Sequence, residues 1–491
     1  MLQNVHNRSR NTKTANGMRY TPAQDQIFLY QFIQGGKEYL KWQRGNTTAP
    51  CLRTMQRKLA ARAKSITEGE FRLHELIDFL QKNNLPMDIV LSEDATKING
   101  RVEYDYTTKQ VRGLVGPMNK EGMPQCHIFK ATDPASILRY LNTYPVGRNV
   151  YVVMAQPHQI GAPPFCVQYF CTDNRFTTEQ VSKRWKHFRE RCDESGVRII
   201  SISSDGDPRP IGAMIEEMGM PNHSLNEYGD DFIASTAPKS CPLQDPTHKI
   251  NKLRTRMMKK EVELLLGDKR ISRVHLECMI DQESIIVHGL THADLNDSDK
   301  MKFAPVEKIT KTRVTECLIK TVPESEGTVL YLTMMRYMME VFIKHPSRQI
   351  STPKDAISKL WYVLFIVRAW RNHCIAKYNT IKHCITTNAY WCIEINAHSL
   401  VNYIAMCREQ NLKYQPELLQ SQTCEAFFRS ARSFTSTEST VINFTMMGFE
   451  SKLNRIQAKT EISHDSSNGF VFPRTQETER TITEHIFPIL A

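Results

Sequence analysis

Val197-Arg198-Ile199-Ile200-Ser201-Ile202-Ser203-Ser204-Asp205-Gly206-Asp207-Pro208 is the stretch on which the fold turns. Its apolar run is too short for a helix and is closed by a turn signal, so it predicts a buried strand ending at Asp205. Just upstream, Thr177 and Gln180 form a capping box. Val181, Trp185, Phe188 and Cys192 then recur at helical spacing, Lys183, Arg184, Lys186, Arg189 and Arg191 occupy the other faces, and Gly196 ends the helix. A helix feeding a strand whose end carries an acid is an α/β unit. Further upstream, Asp88 to Asp94, Val102 to Tyr106, Val111 to Gly116, Asn149 to Ala155 and Phe165 to Thr172 predict more strands, with Asn99-Gly100 as a tight turn.

On either side the pattern turns helical. Thr21, Pro22 and Gln24 open a helix carrying Ile27, Phe28, Tyr30 and Ile33, which Gly35-Gly36 should end. A second short helix covers Lys37 to Arg44. A third runs from Leu52 to about Ser65, with Met55 and Leu59 inward and Arg53, Arg57, Lys58, Arg62 and Lys64 outward. Three short helices ending in a basic one match a helix-turn-helix DNA-binding unit, or equally a solvated basic helix. Beyond Asp245 strand signals fade until about residue 415. Leu332, Met335, Met339 and Phe342 form one helical stripe there, and Leu360 to Trp370 is almost wholly apolar, which predicts a helical domain with methionines in its core. The division expected is a polar tail (1–16), a helical helix-turn-helix-like region (17–82), the first part of an α/β core (83–244), a helical insertion (245–415), closing helices of the core (416–460) and a second polar tail (461–491).

With 491 residues the chain is long enough for two to four cores. Lys and Arg number 64 against 52 acids, a net charge of +12 that favours a polyanionic partner. The 13 cysteines include no CxxC pair, and the polar start is no secretory signal, so reduced thiols in a soluble intracellular protein are expected. Cys166, Cys171 and His158 fit no common zinc spacing and are better taken as buried core. No run is long and apolar enough to span a membrane. GxxxxGK[ST] and GxGxxG loops are both missing.

Three acids stand out by their frames: Asp94 ending one strand, Asp205 ending another, and Glu425 on a helix with the apolar stripe Cys424, Phe427, Phe428, Ala431 and Phe434. Carboxylates converging from separate elements are what a pair of hard cations about 4 Å apart requires for phosphoryl transfer. The plain alternatives are a polar turn at Asp205-Gly206-Asp207-Pro208 and a surface acid at Asp94.

Six segments, in order, resemble the P-element and THAP-type DNA transposases. They are Gly17-Met18-Arg19-Tyr20-Thr21 with Leu52-Arg53-Thr54-Met55-Gln56; Ser92-Glu93-Asp94-Ala95-Thr96-Lys97-Ile98; Val102-Glu103-Tyr104-Asp105 with Gly113-Leu114-Val115-Gly116; Ser204-Asp205-Gly206; Asp245-Pro246-Thr247-His248 to Lys252-Leu253-Arg254; and Ser421-Gln422-Thr423-Cys424-Glu425-Ala426-Phe427-Phe428 with Arg432-Ser433. The resemblance implies an RNase H-like core interrupted by a large all-helical insertion. It also implies Asp94, Asp205 and Glu425 as catalytic, Mg²⁺- or Mn²⁺-binding residues, with Asp207 and Asp245 as the nearest rivals. Double-stranded DNA as partner, self-association and a nuclear location follow from it. Asp245, His248, Lys249, Lys252 and Arg254 would contact phosphate or border a GTP site, or else form a solvated charged face. The family's amino-terminal THAP zinc finger has no counterpart, because no cysteine precedes Cys51, and Ala95-Thr96 and Thr423 depart from its acidic pattern. A catalytically silent, domesticated descendant that binds DNA or chromatin is the alternative. An RNA-directed nuclease of the same fold is a third, disfavoured by the long insertion.

Overall fold

The computed structural model describes residues 20–62, 67–220, 241–296, 302–343, 351–434, 444–465 and 469. Lys64 and the two polar tails lie outside them, apart from the first residues, Glu461 to Asp465, and Gly469 of the second.

Helix α1 (Pro22–Asn46) opens with the expected capping box: the Thr21 hydroxyl accepts from the Gln24 amide, and the Gln24 side chain accepts from the Thr21 amide. Gly35-Gly36 kinks this helix instead of ending it. Gly36 takes φ 69°, a value open to glycine, and the helix resumes because Leu40 and Gln43 find buried places beyond the bend. The Gln43 amide donates to Gln31 across the kink at 2.8 Å. Helix α2 (Leu52–Arg62) packs Met55 against α1, and both share a core with Ala458 and Ile462 near the carboxyl end. Helix α3 (Leu73–Lys82) behaves differently. Its Leu73, Leu76, Phe79 and Leu80 pack into the core of the main sheet.

That sheet is built from β1 (Asp88–Lys97), β4 (Asn149–Pro157), β5 (Phe165–Thr172), β6 (Arg198–Ser204) and β7 (Leu243–Gln244). Between β1 and β4 come β2 (Glu103–Asp105), β3 (Gln110–Arg112) and α4 (Pro134–Thr143), with β2 and β3 forming a separate hairpin. The order across the sheet is β5-β4-β1-β6-β7. Strands β4 and β5 run as an antiparallel meander from β1, while β6 and β7 run parallel to β1 and β6 in turn. Parallel neighbours need crossovers, supplied by α5 (Thr178–Glu194) before β6 and α6 (Pro208–Glu217) after it.

The sequence suggests a solvated charged face for α5, but Arg184 is completely buried. Its guanidinium bonds Glu93 at 3.2 Å and lies over the rings of Tyr151, Phe170 and Phe176. A buried partner acid and three π faces replace the lost water.

After β7 the chain leaves the sheet through α7 (Pro246–Met258), a hairpin of β8 (Leu264–Leu266) and β9 (Lys269–Ile271), and the helices α8 (Arg273–Gln282), α9 (Ile285–His288), α10 (Ala304–Ile309), α11 (Thr312–Thr321), α12 (Glu326–Phe342), α13 (Pro353–Tyr378) and α14 (Thr387–Glu409). The segment is therefore not all-helical: Gly267, at φ 67°, turns a hairpin between Leu264 and Ile271, whose side chains join the helical core. Met335 and Met339 are core residues, together with Tyr331, Leu360 and Leu364. A buried ion pair fastens α13 to α14, Arg368 donating twice to Glu394 at 2.7 Å with Tyr390 bonded to the same carboxylate. Helix α14 then returns to the sheet. The Asn396 amide bonds both the N–H and the C=O of Gln244 at 2.8 Å and stands in for a missing neighbour of the short edge strand β7.

The last described helices are α15 (Gln422–Ser433) and α16 (Met446–His464). They pack Cys424, Phe427, Phe428 and Phe449 against Val150, Val152 and Tyr169, on the sheet face opposite α5. Among the described residues, no helix is long and apolar enough to cross a membrane.

Candidate active site

Side chains alternate along β1, and that alternation sorts its acids. Leu91 and Glu93 face α5, where Leu91 joins the core and Glu93 meets Arg184. Ser92 and Asp94 face the other way, toward α15: the Ser92 hydroxyl bonds Thr423 at 2.6 Å, two residues before Glu425. Asp205 follows the last residue of β6, the parallel neighbour of β1. Asp94 and Asp205 therefore stand near the ends of two adjacent strands, and Glu425, far along the sequence, lies on the helix packed against the same sheet.

Electrostatics registers the gathering. Burial, and next the charge of Asp205, push the Asp94 carboxyl up to about 7, with Glu425 adding to the shift and a bond from the Ala95 amide and the charge of His248 opposing it. A buried acid crowded by two others is short of positive charge. His248 supplies some of it. Burial disfavours its charged form, but the bond to Glu425 and the fields of Asp245, Glu425 and Asp94 outweigh that and raise the imidazole to about 9. Lys252 lies close by, its ammonium 2.7 Å from where a Cβ on Gly206 would sit.

The rival acids have other tasks. Asp207 caps α6 and is gripped by Arg209 at 2.8 and 2.5 Å. Asp245 is buried. It caps α7 through the His248 amide and accepts from the Ser421 amide at 3.0 Å and the Ser421 hydroxyl at 2.7 Å. One carboxylate thus fixes the start of α7, which carries His248, against the start of α15, which carries Glu425. The sequence offered Asp245 as a rival to the three acids and Asp245 and His248 as phosphate or GTP contacts, not as the joint between α7 and α15. The capping Asp three residues ahead of the His was the local sign of this arrangement.

In that stretch Lys249 and Arg254 are buried and not on a solvated face. Arg254 donates to the carbonyls of Asp294 and Asn296, and burial pulls the Lys249 ammonium down to about 8. Only Lys252 of the set Asp245, His248, Lys249, Lys252 and Arg254 is classed as exposed. On α2, Arg53, Arg57 and Arg62 are exposed, while Lys58 pairs with Asp25 of α1.

A cavity of about 120 Å³ adjoins Asp94 and Asp205, bordered also by Glu93, Tyr151, Asp207 and Arg209. Hard carboxylate oxygens at Asp94 and Asp205, mutually repelled and half-sunk, suit a divalent cation such as Mg²⁺ or Mn²⁺. Glu425 is engaged by His248, and among the described residues no three His, Cys, Asp or Glu side chains are gathered as a metal site. Cys166 and Cys171 lie buried in β5, with burial holding both thiols well above their usual range.

A solved structure shares this fold. It is the Drosophila P element transposase strand transfer complex, with a TM-score of 0.64 and 13% sequence identity over 95% of this chain and 99% of that one. No protein-family model and no curated protein matches the sequence. At 13% identity the likeness is one of fold.

Proposed function

We propose that this chain is a transposase, or a protein derived from one, that cuts and joins DNA by in-line phosphoryl transfer at Asp94, Asp205 and Glu425. The observation carrying the proposal is that Asp94 lies near the end of β1, Asp205 follows the parallel neighbour β6, and Glu425 lies on α15, packed on the sheet face that Asp94 shares, with the charges of the other two acting on Asp94. The sheet supports it. A three-strand meander extended by two parallel strands, with a closing helix bearing the last acid, is the plan expected of an RNase H-like core, in which residues 245–415 would be the insertion. The fold shared with a P element transposase complex agrees with this reading.

Mg²⁺ or Mn²⁺, if held by Asp94, Asp205 and Glu425, would supply charge neutralisation and activation of the attacking oxygen. The chain's own part is positioning. Strands β1 and β6 hold two carboxylates on rigid neighbouring supports. Asp245 fixes the Glu425 helix, and His248 orients the Glu425 carboxylate. Lys252 and the arginines of α2 attract the DNA backbone, in the nucleus for a chromosomal substrate. A water or a DNA 3′-hydroxyl attacks phosphorus as the opposite P–O bond breaks, so no side chain becomes covalently attached.

The test is transfer of a labelled duplex bearing a free 3′-hydroxyl into plasmid DNA, with oligomeric state followed by light scattering. Joined product and a complex of at least two chains are expected. Salt-sensitive binding without joining would instead favour the silent DNA-binding descendant, a reading to which the His248–Glu425 bond lends some support.

A further inference from the structure

Asn174, in the turn between β5 and α5, is held in a left-handed conformation at φ 61° and is pinned on both sides of its backbone. Its N–H donates to the Thr172 hydroxyl at 2.9 Å, and its carbonyl accepts from the guanidinium of Arg209, whose Cζ lies 4.2 Å from the centre of the Phe176 ring. Asparagine tolerates this region better than most residues, yet the conformation persists only where the surroundings impose it. Asn174 and Phe176 both border the cavity of about 120 Å³ beside Asp94 and Asp205. The Asn174 Oδ1 is buried, and among the described residues no group donates to it. One Glu93 oxygen on the same wall is in the same state. Two buried acceptors without donors mark a place for a molecule that brings hydrogens, and the cavity well exceeds the roughly 10–15 Å³ that one water requires.

The geometry points to Asn174 as the residue that positions the attacking water of the reaction proposed above. Its Oδ1 accepts one hydrogen of that water and leaves a lone pair free for a phosphate at Asp94 and Asp205. The water oxygen forms the new P–O bond as the opposite P–O bond breaks. Its proton passes to solvent, and the released 3′-oxygen keeps the electron pair of the broken bond and takes up a proton. A DNA 3′-hydroxyl arrives on the strand that carries it and needs no such support, so Asn174 serves cleavage and not joining. The inference rests on the phosphoryl-transfer reading and adds to it the group that favours water as nucleophile.

The experiment follows two reactions of the full chain in Mn²⁺: nicking of supercoiled plasmid, in which water attacks, and joining of a labelled duplex with a free 3′-hydroxyl into plasmid. Asn174→Gly, Asn174→Asp and Thr172→Val are compared with the parent, with circular dichroism and DNA titration verifying that each folds and binds. Glycine adopts φ 61° freely and lacks the acceptor, so Asn174→Gly should lower nicking about tenfold, the scale of one lost hydrogen bond, and leave joining within about twofold. Aspartate keeps the acceptor, and its added charge bears on both reactions alike, so the ratio of nicking to joining should stay near that of the parent. Thr172→Val, which removes the acceptor of the Asn174 N–H, should lower the ratio by less than Asn174→Gly does. Equal losses in both reactions, or none in either, would overturn the role of Asn174 while leaving the carboxylates standing. A ratio that falls as far in Asn174→Asp as in Asn174→Gly would overturn it too. A parent that neither nicks nor joins would remove the phosphoryl-transfer reading, and this inference with it.

Discussion

Replacing Arg184 by Met probes how the strand carrying Asp94 is held. Arg184 and Glu93 are 0% and 1% exposed at their side chains, 3.2 Å apart, and the second Glu93 oxygen has no partner. Methionine fills much of the arginine's space among Tyr151, Phe170 and Phe176, so the cavity term is small and the chief loss is the countercharge. Breaking one side of a buried pair costs about 3–5 kcal/mol, against about 0–1 kcal/mol for an exposed one. The double variant Glu93→Met with Arg184→Met removes both charges and should lie within about 2 kcal/mol of the parent, because a buried pair barely repays its own desolvation. Urea unfolding of the parent, both single variants and the double variant closes a cycle whose coupling should be about 3 kcal/mol or more. An Arg184→Met cost below about 1 kcal/mol, or a double variant equal to the sum of the singles, would refute the view that this pair is desolvated and mutually dependent.

Two further predictions concern pH. Burial works against ionised Glu394, but the bonds from Arg368, His398 and Tyr390 outweigh it and hold the carboxyl below its usual value of 4.5, so its stabilisation is full above that value and is lost as pH falls below it. Thermal melts of Glu394→Gln should show a loss of about 3–5 kcal/mol at neutral pH and a flatter acid limb; an unchanged acid limb would contradict the assignment. Glu450 on α16 is the reverse case. Burial, then the charge of Glu68 across Arg112, pushes it up to about 8, so its contribution is present below the usual 4.5 and fades as pH rises toward 8. Glu450→Gln should remove that decline, and hydrogen exchange in α16 of the variant that still accelerates between about pH 5 and 8 beyond the intrinsic rate would argue against it.

Local chemistry was legible in the sequence. The capping boxes at Thr21 and Thr177 form within four residues, and the strands ending near Asp94 and Asp205 announced themselves by short apolar runs bounded by turns. What depended on distant partners was not. Arg184, Lys249 and Arg254 sit in basic runs that suggest a solvated surface, and only the folded chain supplies the acid, rings and carbonyls that bury them. Gly35-Gly36 is an equally good stop or kink until Leu40 and Gln43 have somewhere to dock. The hairpin at Leu264 to Ile271 could have been found from its Gly267-Asp268 turn, but three-residue strands carry little periodicity. The neighbourhood of Asp94, Asp205 and Glu425 was expected from motif order, whereas the His248 bond to Glu425 had no sequence signal beyond the Asp245 cap.

If those three carboxylates form one phosphoryl-transfer site, the chain should nick supercoiled plasmid. The full chain would be incubated with Mg²⁺ or Mn²⁺ beside Asp94→Asn, Asp205→Asn and Glu425→Gln, each retaining its fold and DNA binding. The expected result is metal-dependent nicking by the parent and a loss of at least about a hundredfold in every variant, the scale of a site whose members act as a unit. Nicking that survives any one of the three substitutions, or a parent that binds DNA and never cuts it, would contradict the claim.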